Sequence, residues 1–375
     1  MRDTLPRRTF FQAAGAFAVA PALAAARPAA LDAASTTASR GWPPAEGPDP
    51  PKLCLGVGAD ADEKEMRGVR QIGVERVLMG GPATLPWKEA DLRALVERFE
   101  AGGLTVANLM IAGFPKALYG RPGRDDEIAA VVESIRAAGG AGIPVVEYNF
   151  YAHRLVEGYY EEPGRAGAGL TAYDYDRSKD LPPLPDEGVH SLDEMWANVT
   201  YFLKAVVPAA EKAGVRLALH PNDPPVPLSR GSGQIMATLA GWKRLMTIVD
   251  SPANGITYDC GVTREMAEDP VEVCRWFGER DRINHVHYRN VRVRRASVDY
   301  TEVFLDEGEV DMFAVMRELV RLKYPRALYP EHERALDADR ERPGFRPYYP
   351  GGGGYAGRVY NVAYTKAMLQ AALSV

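Results

Sequence analysis

Four residues of metal-binding type stand where four successive strand-like runs end. His220 follows Val215–Leu219, Cys260 closes "NGITYDC", His287 lies in "INHVHYRN", and Glu331 lies in "RALYPEHE". Two imidazoles, a thiolate and a carboxylate can hold zinc, iron, cobalt or manganese. Such an ion polarises a substrate oxygen, or lowers the pKa of a hydroxyl it binds. After His220 the chain runs Pro-Asn-Asp-Pro-Pro, a turn stiffened by prolines that suits a side chain needing to be aimed. Arg289, two residues beyond His287 and followed by Asn290, carries the planar fork that grips a carboxylate through two parallel hydrogen bonds.

The elements that must position these residues alternate from Lys52 onward. Eight short apolar runs, "KLCLGVG", "ERVLMG", "LTVANLMI", "IPVVEYNF", "VRLALH", "NGITYDC", "INHVHYRN" and "RALYPEHE", are each followed by a segment of helical periodicity. Ser191 and Glu194 predict a capping box opening the helix after the fourth strand. Strands apolar enough for burial on both faces, joined by right-handed crossovers, predict an α/β fold closed as a (β/α)8 TIM barrel over residues 51–375. The open doubly wound sheet is the alternative, but "GVGADADE" lacks the third glycine of a dinucleotide fingerprint. Neighbouring barrel strands lie under about 5 Å apart, so the four candidates can converge on one ion. Two insertions, 151–190 and 289–309, fall on the strand-to-helix side, where long loops form lids and binding walls. The first is rich in Tyr and Gly, which suits a hydroxyl-bearing ligand.

A net charge of -5 argues against nucleic acid or an anionic membrane as the main partner. Cys54, Cys260 and Cys274 are too few, and odd in number, for a disulfide framework. Residues 1–24 carry Arg7-Arg8 before a short apolar run and small residues, too short to span a bilayer. They resemble a twin-arginine signal, implying export in folded form to the periplasm or medium and no membrane anchor after cleavage. Residues 25–50, rich in Ala, Pro, Ser and Thr, read as a disordered linker.

The stretches "LALHPNDPP", "SPANGITYDCG", "HVHYRNV" and "YPEHE" resemble the signature segments of the mannonate dehydratases, metal-dependent lyases on a xylose-isomerase-like TIM barrel. "VVEYNF" and "GGGGYAGRVYNVAYTKAML" are similar as well, so the likeness spans roughly residues 65–373. It implies a Mn²⁺ or Fe²⁺ site at His220, Cys260, His287 and Glu331, and loss of water from D-mannonate to give 2-keto-3-deoxy-D-gluconate, or the same reaction on a related sugar acid. It also implies His332 as the acid/base histidine, a C-terminal tyrosine (Tyr355 or Tyr360) near the site, and substrate contacts from Asn149, Asp223, Arg289, Asn290 and Arg358. The sequence departs from the pattern where the family's Arg-Pro-Asp-His-Gly becomes "YPEHE", placing Glu331 one methylene longer than Asp.

Two other readings remain open. Glu147, His220, His287 and Glu331 could serve a metal-dependent sugar isomerase or epimerase of the xylose-isomerase-like group. The chain could instead be an exported sugar-binding barrel without chemistry. The partner in every case is a small sugar or sugar acid, and self-association into a homo-oligomer is left open.

Overall fold

The computed structural model describes residues 43, 44 and 47–375. The export signal expected at 1–24 and nearly all of the linker expected at 25–50 lie outside the described residues. Among those residues no helix is long and apolar enough to cross a membrane.

Eight strands, Lys52–Gly56, Arg76–Gly80, Thr105–Ile111, Val145–Tyr148, Arg216–Leu219, Asn254–Asp259, Ile283–His287 and Ala327–Tyr329, pair in parallel and in chain order. The last closes on the first through Lys52 beside Ala327 and Leu53 beside Leu328, giving the expected barrel. Apolar outer faces such as Val146, Leu217, Leu219 and Ile256 pack against the helical ring. The inner floor is built from Cys54, Leu78, Ala107, Ala327 and Tyr329. Helix Leu192–Ala213 starts with the predicted Ser191–Glu194 capping box and ends on Gly214 at φ 68°, a left-handed stop that favours glycine. Register sets the site's layers: Thr257 lies beside His285, Asp259 beside His287, and His287 beside Tyr329.

The two insertions are one structure. Asn290–Arg295, Asp299–Val303, Gly169–Asp174 and Tyr159–Pro163 form a four-stranded antiparallel sheet at the barrel mouth, joined across the insertions by Tyr300 pairing with Tyr173. Leu155, Tyr173, Val226 and Tyr300 give it a small core of its own.

Asn290, expected to touch substrate, does different work. Its Nδ2 donates to the Leu305 and Val310 carbonyls at 2.9 and 3.2 Å, and its Oδ1 accepts from the Val291 and Val310 amides. All of its polar capacity goes into stapling the second insertion to the barrel, which corrects the sequence expectation. Asn290→Ala leaves those buried groups unpaired, so a urea melt should show a loss on the order of 2–4 kcal/mol; a midpoint equal to that of the parent would contradict this role.

Candidate metal centre and active site

Strand alternation decides which side chains enter the mouth. On the sixth strand Thr257 and Asp259 point inward, while Tyr258 points outward and bonds the Pro270 carbonyl. Asp259 then caps the short helix Cys260–Glu265, its Oδ1 accepting from the Val262 amide at 2.8 Å. Cys260 is the first residue of that helix, turned away from the mouth. Its Sγ lies 3.2 Å from the Arg289 carbonyl and 3.6 Å from that of His287, and burial pushes its thiol well up. The fourth member of the converging set is therefore Asp259 and not Cys260. The sequence expectation misplaced it by one residue.

His220, Asp259, His287 and Glu331 bring their ligand-type atoms within 4.8 Å of one another. The His220 Nδ1 sits 2.7 Å from the Pro221 carbonyl, an oxygen that can only accept, so Nδ1 carries the proton and Nε2 is bare. That Nε2 lies 3.1 Å from the His287 Nδ1, which also faces Glu331 Oε1 at 3.0 Å and Asp259 Oδ2 at 3.9 Å. One proton on the His287 Nδ1 can serve only one of these three acceptors. Glu331 Oε1, though buried, makes no well-aligned hydrogen bond. Two imidazoles and two carboxylates with crossing lone pairs and too few protons fit a divalent cation.

The same packing shifts the titration of these groups. Against burial, Glu331 and Glu147 push His287 up to about 9. Burial and the neighbouring His287 keep His220 down. Against burial, His287 and His332 hold Glu331 well below the usual carboxylate range.

Arg289 is almost fully buried at the centre of these acids. Its Nε lies 3.0 Å from Asp259 and 3.3 Å from Glu331, its Nη1 lies 2.6 Å from Glu265, and its Nη2 lies 3.4 Å from Asp223. With Nε and Nη1 committed, only Nη2 lacks a hydrogen bond. The expected two-pronged grip on a substrate carboxylate is thus reduced to one prong. The larger part of Arg289 holds the mouth's own carboxylates. A Cβ at Gly261 would come 2.7 Å from the Arg289 side chain, which explains the glycine after Cys260.

His332 lies beside the set, its Nε2 3.5 Å from Glu331 Oε2. Its Nδ1 bonds Glu302, a carboxylate that also takes Arg334 at 3.0 Å. His332 has φ 50°, a left-handed conformation unusual for a non-glycine residue and recurrent at functional sites. Against burial, Glu302 and Glu331 raise its pKa. Asp223 accepts from Tyr159 at 2.6 Å and from Tyr300 at 3.0 Å, so the mouth sheet holds it rigidly beside Arg289. Asp223, Glu302 and His332 form a second convergent group. The sheet supplies Glu302, Tyr300 and Tyr159, which the sequence reading missed, because pairing between the two insertions brings them in.

Other expected residues lie apart. Tyr355 is exposed, and its hydroxyl donates to the Gly68 carbonyl on the helical ring. Tyr360 packs on Phe304. The tyrosine beside His332 is Tyr349, with ring centroids 4.8 Å apart. It precedes the glycine run, whose tight turns return the chain to the outer helix. Among the described residues Asn149 reaches only the Met110 sulfur, at 3.9 Å, and Arg358 pairs with Glu333 at 3.4 Å. Neither joins the convergent set.

A D-mannonate dehydratase (UxuA) family model matches residues 187–374. The mannonate dehydratase of Streptococcus pneumoniae strain 70585 is 30% identical over 305 residues, covering 74% of this chain and 82% of that protein. The Thermotoga petrophila mannonate dehydratase is 30% identical over 330 residues, covering 78% and 91%. The crystal structure of mannonate dehydratase from Streptococcus suis serotype 2 superposes with a TM-score of 0.77 at 26% identity, over 86% of this chain and 95% of that one. A xylose isomerase domain protein from Alicyclobacillus acidocaldarius, with a TM-score of 0.55 at 17% identity, shares the fold alone. The chain belongs to the D-mannonate dehydratase family.

Proposed function

We propose that this chain is a metal-dependent hydro-lyase that converts D-mannonate to 2-keto-3-deoxy-D-gluconate and water. The observation that carries this reading is the mouth itself: His220, Asp259, His287 and Glu331 converge beside a histidine, His332, that Glu302 orients. Those four residues would hold the ion. Bound there, it supplies a Lewis acid next to the substrate's oxygens. The set contains no thiolate, the donor that most favours zinc and softer ions, which supports Mn²⁺ or Fe²⁺.

The reaction removes the proton on C2, next to the carboxylate, and expels the C3 hydroxyl. The resulting enol then tautomerises to the 2-keto acid. The hydroxyl leaves easily only if it departs as water, so a proton must be delivered to it. With Nδ1 turned to Glu302, His332 presents Nε2 to the mouth and is the group that takes up the proton leaving C2 and returns it to the departing hydroxyl. Arg289 Nη2 offers one donor to the substrate carboxylate, while Nε and Nη1 keep Asp259 and Glu265 in place. Tyr159 and Tyr300 hold Asp223 where it can accept from a sugar hydroxyl. The carboxylate in place of a thiolate also suits the isomerase alternative, which would exchange the C2 proton without losing water.

Protein stripped with a chelator and reloaded with Mn²⁺ or Fe²⁺ should form a 2-keto-3-deoxy acid from D-mannonate, and the stripped protein should not. Epimerised or isomerised sugar with no dehydration would point to the isomerase, and no turnover on any sugar acid to a binding barrel. His332→Gln should lower kcat by about 10²- to 10⁴-fold with little change in KM; a fall confined to KM would remove its proton-transfer role. Asp259→Ala should weaken binding of Mn²⁺ in titration calorimetry by at least about tenfold, since a directly coordinating carboxylate is lost. Cys260→Ala should leave that affinity in place, and the reverse pattern would restore the thiol as ligand.

A further inference from the structure

Below the mouth, inside the barrel, lies a second polar set that the dehydration reading does not use. Glu147, on the fourth strand, is fully buried, and its two oxygens accept from Thr257 at 2.6 Å and Asn108 at 2.7 Å. Both donors are neutral: they aim the carboxylate without balancing its charge. No arginine or lysine pairs with Glu147 among the described residues; its one ion-pair neighbour is His287. His285, one strand position below His287 on the same inward face, is completely buried with neither ring nitrogen hydrogen-bonded. The His287 Nε2 is likewise without a hydrogen bond. Buried polar atoms are nearly always partnered, so a bare nitrogen on each of two imidazoles beside one carboxylate needs a common explanation.

Distances narrow the choice. The ligand-type atoms of Glu147, His285 and His287 lie within 4.8 Å of one another. The His287 Nε2 is 3.6 Å from Glu147 Oε1, too long for a hydrogen bond. Two ligand atoms each about 2.1 Å from one ion stand that far apart when the bond angle is near ~120°. A water molecule about 2.8 Å from both would have to bond them at roughly 80°, far narrower than its tetrahedral preference.

We propose that Glu147, His285 and the Nε2 of His287 form a second cation site, stacked beneath the mouth and joined to it through the His287 ring. Two imidazole nitrogens and a carboxylate select a first-row divalent transition metal over magnesium or calcium. With an ion on each side, the His287 ring has given up its N–H proton to solvent and bridges the two as imidazolate. The proposal rests on the mouth holding a metal ion, but not on the identity of the substrate.

The test is a count of bound metal on the folded full chain, loaded with Co²⁺ after chelator treatment, desalted and analysed by elemental mass spectrometry. The parent should retain two equivalents per chain, and His285→Phe and Glu147→Gln one each, with circular dichroism confirming that the variants fold. One equivalent in the parent that His285→Phe still retains overturns the proposal, whereas one equivalent that His285→Phe loses would instead remove the ion from the mouth. A second measurement needs no variant: the parent loaded with Cu²⁺ should give an electron paramagnetic resonance signal well below its copper content, because imidazolate couples the two spins. Full intensity from isolated copper overturns the proposal as well. Because both readouts count ions, a failed second site is distinguishable from a chain that does not dehydrate D-mannonate.

Discussion

The mouth depends on one buried guanidinium. Arg289 stands within ion-pairing distance of Asp223, Asp259, Glu265, Glu302 and Glu331, all nearly or completely buried. Withdrawing that many carboxylates from water is unfavourable unless positive charge lies among them. Arg154 also faces Asp223 and Arg334 also faces Glu302, while burial pushes Glu265 well above the usual carboxylate range, towards its neutral form. Asp259 and Glu331 are the acids that face His220 and His287. A cation there would complete the electrostatics of the barrel mouth.

This constraint explains why the two insertions form one sheet. A loop alone could not keep Glu302 against both His332 and Arg334, or Tyr159 and Tyr300 on the same oxygen of Asp223. Antiparallel pairing of Asp299–Val303 with Gly169–Asp174 fixes these side chains by backbone hydrogen bonds. Asn290 ties the sheet to the seventh strand. The wall of the site is therefore as rigid as its floor, which proton transfer at a fixed distance requires.

The barrel was legible because each of its elements is written locally, in apolar runs, caps and glycine stops. Three of the four converging residues were legible for the same reason, since each closes a strand. The fourth was misplaced because Cys260 is the more conspicuous ligand type. Counting by twos from Thr257 would have put Asp259 inward and Cys260 outward. The same count from His287 reaches His285, so the buried set within the barrel had a signal too. Glu302, Tyr159 and Tyr300 had none, because their place is set by pairing between segments more than a hundred residues apart, which no local period encodes. Tyr349 was passed over for Tyr355 since the glycine run hides which side of the turn faces His332.

His287 is where these layers meet. Its ring is wedged edge-on against His220, His285 and Tyr329, with centroids 4.8, 5.1 and 5.5 Å away. Three aromatic neighbours on three different strands leave it little freedom to rotate, so Nδ1 faces the mouth and Nε2 faces Glu147 before any ion arrives. Ligands locked in this way lose little entropy on binding metal, and the outer partner of a histidine sets which nitrogen is free. Behind the ring, Glu147 Oε1 lies 3.6 Å from Nε2, so each nitrogen of His287 faces its own cluster of acids. The layer below the mouth thus meets it through a single imidazole, and a change at Glu147 reaches the candidate metal centre without touching its other members.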